Sequence, residues 1–289
     1  MSRRRQVIFL IGIIAIALLL PGCDIFRRAR RVQVEPPPPF QSPITEIIGA
    51  PGMSAADIAA AIKARQADTR SILGSLSVIV GEARSRTRMQ FDANMYYAPP
   101  DFLRVRGAAD QGTLFDFLMR DGQAQVMLVP EKKIHTGSVA ALRNNPTLMG
   151  GVQPDDLVQS FLIDQQLYKI LSDPASGAFV QQTPDHYVIS VAYVTGVTET
   201  YSVRMADLLV DRVERHANRR LLGSVRFDAY AFYGKEGSKT LHLLPSRFEA
   251  QLPTGAVATV QAVDIQPNAK REEALTFITV PPDFQQLPL

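Results

Sequence analysis

Along most of this chain apolar and polar residues alternate one for one, the period of a strand with one buried face. The cleanest run is Arg86–Ala98, where Met89, Phe91, Ala93, Met95 and Tyr97 fall on one side and Arg88, Gln90, Asp92, Asn94 and Tyr96 on the other. Before it, Leu76, Val78 and Val80 share a face within Ser75–Glu82. After a turn at Pro99-Pro100-Asp101, Leu103 and Val105 oppose Arg104 and Arg106. Phe115, Phe117 and Met119 then share a face up to Asp121-Gly122, a two-residue hairpin signal, and Ala124, Val126 and Leu128 continue beyond it. Pro130-Glu131-Lys132 turns the chain toward Lys133–Gly137. The same period predicts strands at His186–Val194, Glu199–Met205, Leu208–Arg215, Gly223–Tyr233, Leu243–Leu252 and Ala256–Gln266, with a turn at Gly234–Gly237.

Two stretches switch to a helical period. Ser54-Ala55-Ala56-Asp57 has capping-box spacing and leads into Ile58, Ala61, Ile62 and Ala64, with Ile72 and Leu73 at the exit. Pro154 suits a first helical position, and Asp155 and Asp156 suit the positive end of a helix. Leu157, Val158, Phe161, Leu162 and Tyr168 then recur at helical spacing. Helix, six strands, helix and six strands predict a mainly β (α+β) fold. Its expected form is a single strongly curved antiparallel sheet, an incomplete β-barrel of about 11 strands with helices covering the open side.

The N-terminus follows a different logic. Arg3, Arg4 and Arg5 precede an unbroken apolar run, Val7–Leu20. At about 1.5 Å per residue the run is short for a bilayer core of about 30 Å, so it reads as the core of a signal peptide. It ends in Leu20-Pro21-Gly22-Cys23, and Cys23 is the single cysteine of the chain. This resembles a bacterial lipobox, with Pro21 departing from the usual small residue. The resemblance implies residues 1–22 as a lipoprotein signal peptide and lipidation of Cys23; an uncleaved membrane anchor is the other reading. At about 0.8 kcal/mol per buried methylene, two or three acyl chains hold a protein on a membrane. Arg27, Arg28, Arg30 and Arg31 follow at once, placed to contact headgroups, where each basic residue contributes about 1 kcal/mol near an anionic surface. Pro36–Pro39, Pro43 and Pro51 read as a stiff spacer. Residues 23–53 are thus expected to form an anchor and Arg/Pro-rich linker, and residues 54–289 one domain.

Charge then loses its first meaning. The 289-residue chain carries 31 Lys+Arg against 28 Asp+Glu, a formal +3. The three arginines of the leader account for that excess, and residues 54–289 are almost neutral. A neutral body has no field to hold a polyanion, so nucleic acid is not an expected partner. With 46% hydrophobic and 20% charged residues the chain belongs to the globular class.

Catalytic constellations are missing from the sequence. His135, His186, His216 and His242 lack the close spacing of metal ligands, and no cysteine lies beyond Cys23. No G-x-S-x-G, phosphate loop or dinucleotide fingerprint occurs. The reading is a non-enzyme without metal or cofactor. What remains is an apolar face rich in adaptable side chains: Met89, Phe91, Met95, Phe115, Phe117, Met119, Val126 and Leu128, with Leu157 and Phe161 from the second helix. Such a stripe suits either a closed core or a cavity for acyl chains, and a curved sheet with few helices leaves room for the second.

Several stretches carry a resemblance. Pro100-Asp101-Phe102-Leu103-Arg104-Val105-Arg106-Gly107, then Leu114 to Asp121-Gly122, then Lys133-Ile134-His135-Thr136-Gly137 are similar to the LolA/LolB-like superfamily, as are the helix from Pro154 and the ending from Phe277 to Phe284. The resemblance implies an incomplete β-barrel with a helical lid and a hydrophobic cavity for acyl chains of lipoproteins or lipids. It further implies lipoprotein localisation or lipid transport in the bacterial envelope, facing the periplasm from the outer membrane, although Asp24 resembles an inner-membrane retention signal. Lipoprotein acceptors of that group carry a protruding apolar residue on a loop; the matching loop here, Ala108–Thr113, has none. The alternative is an envelope scaffold or sensor that uses the same fold to bind a protein partner.

Overall fold

A computed structural model describes residues 30–33, 35–144, 160–234, 240–251 and 255–289. Cys23, Arg27, Arg28, Leu157 and the helix start at Pro154 lie outside the described residues. In chain order the elements are β1 (Arg30–Gln33), α1 (Ala55–Arg65), β2 (Ile72–Glu82), β3 (Thr87–Ala98), β4 (Phe102–Ala109), β5 (Gly112–Arg120), β6 (Gln123–Leu128), β7 (Lys133–Ser138), α2 (Val139–Asn144) and α3 (Ile163–Ser172). There follow β8 (Phe179–Gln182), β9 (His186–Ala192), β10 (Val197–Arg204), β11 (Val210–Ala217), β12 (Arg220–Tyr233), β13 (His242–Gln251), β14 (Ala256–Pro267) and β15 (Gln285–Pro288). The chain is mainly β and antiparallel with few helices, as the alternation predicts. It divides into two compact units, one of residues 1–35, 69–156 and 254–289, the other of residues 36–68 and 157–253.

In the first unit the strands run in the order β15-β7-β6-β5-β4-β3-β2-β14. All neighbours are antiparallel except β15, which lies parallel to β7. β4 pairs with β3 only over Asp92–Ala98, and β1 takes up the remaining N-terminal stretch of β3, Arg30 opposite Gln90 and Gln33 opposite Thr87. Asp121 and Gly122 both have positive φ, the turn a two-residue hairpin needs. Gly107 answers a close approach: a Cβ there would stand 2.2 Å from the ring of Phe115 on the next strand.

The opposite, polar-patterned face of this sheet holds a second small core. Tyr96, Phe102, Leu118, Met127, Ile134 and Ile278 are buried together, joined by Leu275, Val280 and Phe284 of the C-terminal segment. Tyr96 is therefore buried on the side where alternation placed it among polar residues, because the tail covers that side. Arg104, also on this face, donates from Nε and Nη2 to the carboxylate of Asp116 at 3.0 and 2.7 Å, and from Nη1 to the carbonyl of Ala274 at 2.6 Å. A forked guanidinium on a carboxylate that is 4% exposed sews strand, strand and tail together.

In the second unit β13-β12-β11-β10-β9-β8 form an antiparallel sheet. α1 starts as its capping box predicts: Ser54 Oγ accepts from Asp57 N, and the Asp57 carboxylate accepts from Ser54 N at 2.8 Å. Its last residue, Arg65, donates to Asp164 of α3 at 2.8 Å and to the carbonyls of Asp207 and Leu208 at 2.5 and 2.7 Å. Leu208, just past the turn at residues 205–207, correspondingly has φ 54° and is not in the strand expected from Leu208; β11 begins at Val210.

Two further expectations are corrected. The proline-rich stretch does not stand off as a spacer from residue 41 onward. Gln41 bridges β12, donating to Asp228 O at 2.8 Å and accepting from Tyr230 N at 3.1 Å, while Ile48 N reaches Ala206 O and Gly52 N reaches Gln182 Oε1. Polyproline-type backbone makes no bonds to itself, so its amides are free to pair with a strand. The strand count also exceeds the expected eleven or so, since β1, β8 and β15 have four residues each, too few to display a period.

Replacing Arg104 by Met strands the Asp116 carboxylate among apolar groups. The expected loss is about 3–5 kcal/mol in chemical denaturation, with most of it recovered when Asp116→Leu is added. An Arg104→Met loss below about 1 kcal/mol would show that the pair does not hold the tail.

Candidate functional site

Register decides which side chains share a surface. In the first unit Met89, Phe91 and Met95 stand opposite Val80, Val78 and Gly74 of β2. Met95 then stands opposite Val105, and Val105 opposite Phe117. Phe117 is opposite Val126, Phe115 opposite Leu128 and Met119 opposite Ala124. All eight residues expected from the first sheet therefore lie on one face, continuous over five strands. They are buried except for half-buried Phe115, which meets Phe91 edge to face at 5.8 Å between ring centres. The face is wider than the list drawn from the sequence: Ile72, Leu76, Leu103 and Val105 belong to it by register. Their alternation was visible in the sequence, but without the aromatic and Met content that marked the others.

Phe161 belongs to the second unit, where it is 1% exposed and packs edge to face on Phe248 at 5.2 Å. Arg30 and Arg31 are exposed on β1.

The second unit has polar features that no spacing announced. Glu199, 5% exposed, accepts from Tyr201 OH at 2.6 Å, Tyr193 OH at 2.9 Å and Arg215 Nε at 2.6 Å. Burial, then the adjacent Glu199 charge, pushes the Tyr193 hydroxyl up to about 12 and Tyr201 higher still. Both phenols stay protonated donors, so this is a satisfied buried network. On the other face of the same sheet Pro37, Pro38 and Phe40 wall a cleft of about 600 Å³ with His186, Arg212 and Arg226 among its other lining residues. His186 sits between two carboxylates, Nδ1 3.0 Å from Asp185 and Nε2 2.7 Å from Asp211. Partial burial pulls its pKa down, but the hydrogen bonds and charges of Asp185 and Asp211 outweigh that, and the net shift is upward from 6.5. Among the described residues no group of three or more His, Cys, Asp and Glu could hold a metal ion.

A mainly β chain with a broad apolar sheet face is the class this geometry defines, and solved structures resemble its fold. A DUF1329 family protein from Desulfovibrio piger superposes with a TM-score of 0.51 at 11% identity, over 77% of this chain and 95% of that one. A putative outer membrane lipoprotein-sorting protein domain from Vibrio parahaemolyticus does so at 0.51 and 14%, over 76% and 96%. A LolA superfamily protein from Nitrosomonas europaea matches at 0.47 and 10%, over 78% and 99%. The chain thus shares its fold with the first two of these structures, consistent with the LolA/LolB-like fold that its motifs suggest. No family model matches the sequence, and no curated protein matches it.

His186 gives a pH signature. Its folded pKa lies above the unfolded value of about 6.5, so its stabilisation is complete below that value and fades as pH rises through the folded pKa. His186→Gln should therefore destabilise more at about pH 5.5 than at about pH 8.5, and Asp211→Asn should lower the His186 midpoint in an NMR titration. An unchanged midpoint in Asp211→Asn would contradict the assignment.

Proposed function

We propose that this chain is a bacterial envelope lipoprotein, anchored through lipid on Cys23, whose apolar sheet face takes up the acyl chains of lipoproteins or lipids. The observation that carries the reading is the continuous apolar face of the first unit, from Met89, Phe91 and Met95 through Phe115, Phe117 and Met119 to Val126 and Leu128. The unbranched, flexible Met89, Met95 and Met119 among them adapt to flexible hydrocarbon, which offers no polar group to recognise. The fold it shares with a putative outer membrane lipoprotein-sorting domain supports lipoprotein localisation or lipid transport as the process. Arg27, Arg28, Arg30 and Arg31 would meet headgroups next to the anchor, with the periplasmic side of the outer membrane as the site and the inner membrane as the alternative that Asp24 raises. The ligand is bound by shape and burial alone, and no step of bond chemistry is proposed.

Protein extracted with mild detergent and analysed by native mass spectrometry should carry bound lipid or acyl peptide. Ala93→Phe and Met95→Trp, which fill the face, should reduce that occupancy at least about tenfold while leaving the melting temperature within a few degrees. Cys23→Ser should abolish the acyl mass on the N-terminal peptide. Absence of any bound lipid in wild-type protein, or occupancy unchanged in both filled variants, would overturn the acyl-binding reading. Retention of a protein partner by the filled variants would point instead to the scaffold role.

A further inference from the structure

We propose that the end of the first unit's sheet formed by β1, the β2–β3 turn and the β4–β5 hairpin is a docking surface for anionic phospholipid, with Arg84 and Arg86 its principal body contacts. The inference rests on the anchoring of Cys23 proposed above and adds to it the face that the membrane meets.

Chain length sets the constraint. Six residues separate Cys23 from Arg30. At no more than about 3.5 Å per residue, Arg30 lies within about 25 Å of an acylated Cys23. Arg30 is not free to wander from the sheet, because β1 is hydrogen-bonded along β3 with Arg30 opposite Gln90. Whatever lies at that end of β3 is held close to the headgroups with it.

Topology places two exposed loops there. The β2–β3 turn, residues 83–86, precedes Thr87, the partner of Gln33. The β4–β5 hairpin closes at Ala109 and Gly112, one step beyond the pairing of Ala108 with Asp92. Arg84 and Arg86 are exposed, as are Arg30 and Arg31. The turn is shaped by Ser85, whose Oγ donates to Thr87 O at 2.6 Å and accepts from Thr87 N at 3.2 Å, so its arginines are not what gives it form. Arg106, one pair further along, lies on Thr113 Oγ1. Against these five arginines stand Glu35, Glu82, Asp92 and Asp110, leaving this end positive by one charge. At the other end of the same strands Asp101, Glu272 and Glu273 offset Arg70, Lys270 and Arg271. The excess charge of the unit is thus gathered where the tether joins it, and headgroup attraction acts only within a Debye length of about 8–10 Å. The hairpin tip, Asp110-Gln111, presents no large apolar side chain, so contact is electrostatic and interfacial, without insertion.

The test uses full-length protein extracted from membranes and reconstituted in vesicles carrying a headgroup-attached fluorescence acceptor. A donor dye is placed at Gln111→Cys on the hairpin tip or at Asp101→Cys on the β3–β4 turn, about 26 Å away along the eight residues of β4. In phosphatidylcholine vesicles with about 30% phosphatidylglycerol, transfer from position 111 should exceed that from 101. The difference should collapse in pure phosphatidylcholine, in about 0.5 M salt and in Arg84→Gln/Arg86→Gln. Equal transfer from both positions, or a difference indifferent to lipid charge and to the double substitution, overturns the proposal. Binding of the Cys23→Ser chain to the anionic vesicles should fall about fivefold per arginine removed; no fall also overturns it. Mass of the N-terminal peptide reads the anchor separately: a peptide without acyl chains sinks the anchoring of Cys23, while a charge-dependent preference for position 111 would still establish the docking end.

Discussion

The register of β3 is the constraint on which the first unit depends. Because successive side chains of a strand point to opposite faces, a slip of one residue between Thr87–Ala98 and either neighbour would turn Met89, Phe91, Ala93 and Met95 to the other face and bring Gln90, Asp92 and Asn94 into their place. Burying these three polar or charged groups without partners costs several kcal/mol each, together comparable to the net stability of most domains. The alternation of this one strand therefore fixes β2 and β4. They in turn orient β5 and β6, until five strands present one apolar surface.

Motif residues that suggested a family turn out to be devices for keeping that register. Gly107 leaves room for Phe115, whose ring would collide with any Cβ there. Asp121 and Gly122 supply the positive φ values that let β5 return as β6 without splaying. Arg104 ties Asp116 to the tail at Ala274, and a Cβ on Gly137 would press on Leu289, where the C-terminal segment runs beside β7. These residues build the sheet, while the face that would touch a ligand is specified only as apolar.

Patterns with a long period were legible in the sequence, and short or borrowed ones were not. β3 and the capping box of α1 were readable because each is set by its own residues. β8 and β15 are four residues long and exist because a neighbour offers an edge, which leaves no trace in local alternation. The burial of Tyr96 came from the C-terminal segment, some 170 positions away, and the docking of Gln41 on β12 from unpaired backbone. Of the site, the apolar face was visible as Met and Phe at period two. The partners Arg215 of Glu199 and Asp211 of His186 were not, since they meet through strand pairing and beside a bulge between Ser202 and Val203.

Charge and tether length together bear on the proposed lipid-handling role. A soluble carrier must leave one membrane to reach another, and its surface charge should then be spread for solubility. Here the charge excess lies in the leader, beside Cys23 and at one end of the first unit, while residues 54–289 are near neutral. With Cys23 acylated, six residues to β1 would confine that end to within about 25 Å of the bilayer, less than the membrane's own thickness. Under the proposed anchoring such a molecule would not ferry cargo across a periplasm. The same reading would have it receive an acyl chain delivered to it, or lift one from the leaflet beneath, since either task moves the cargo less than the length of the tether.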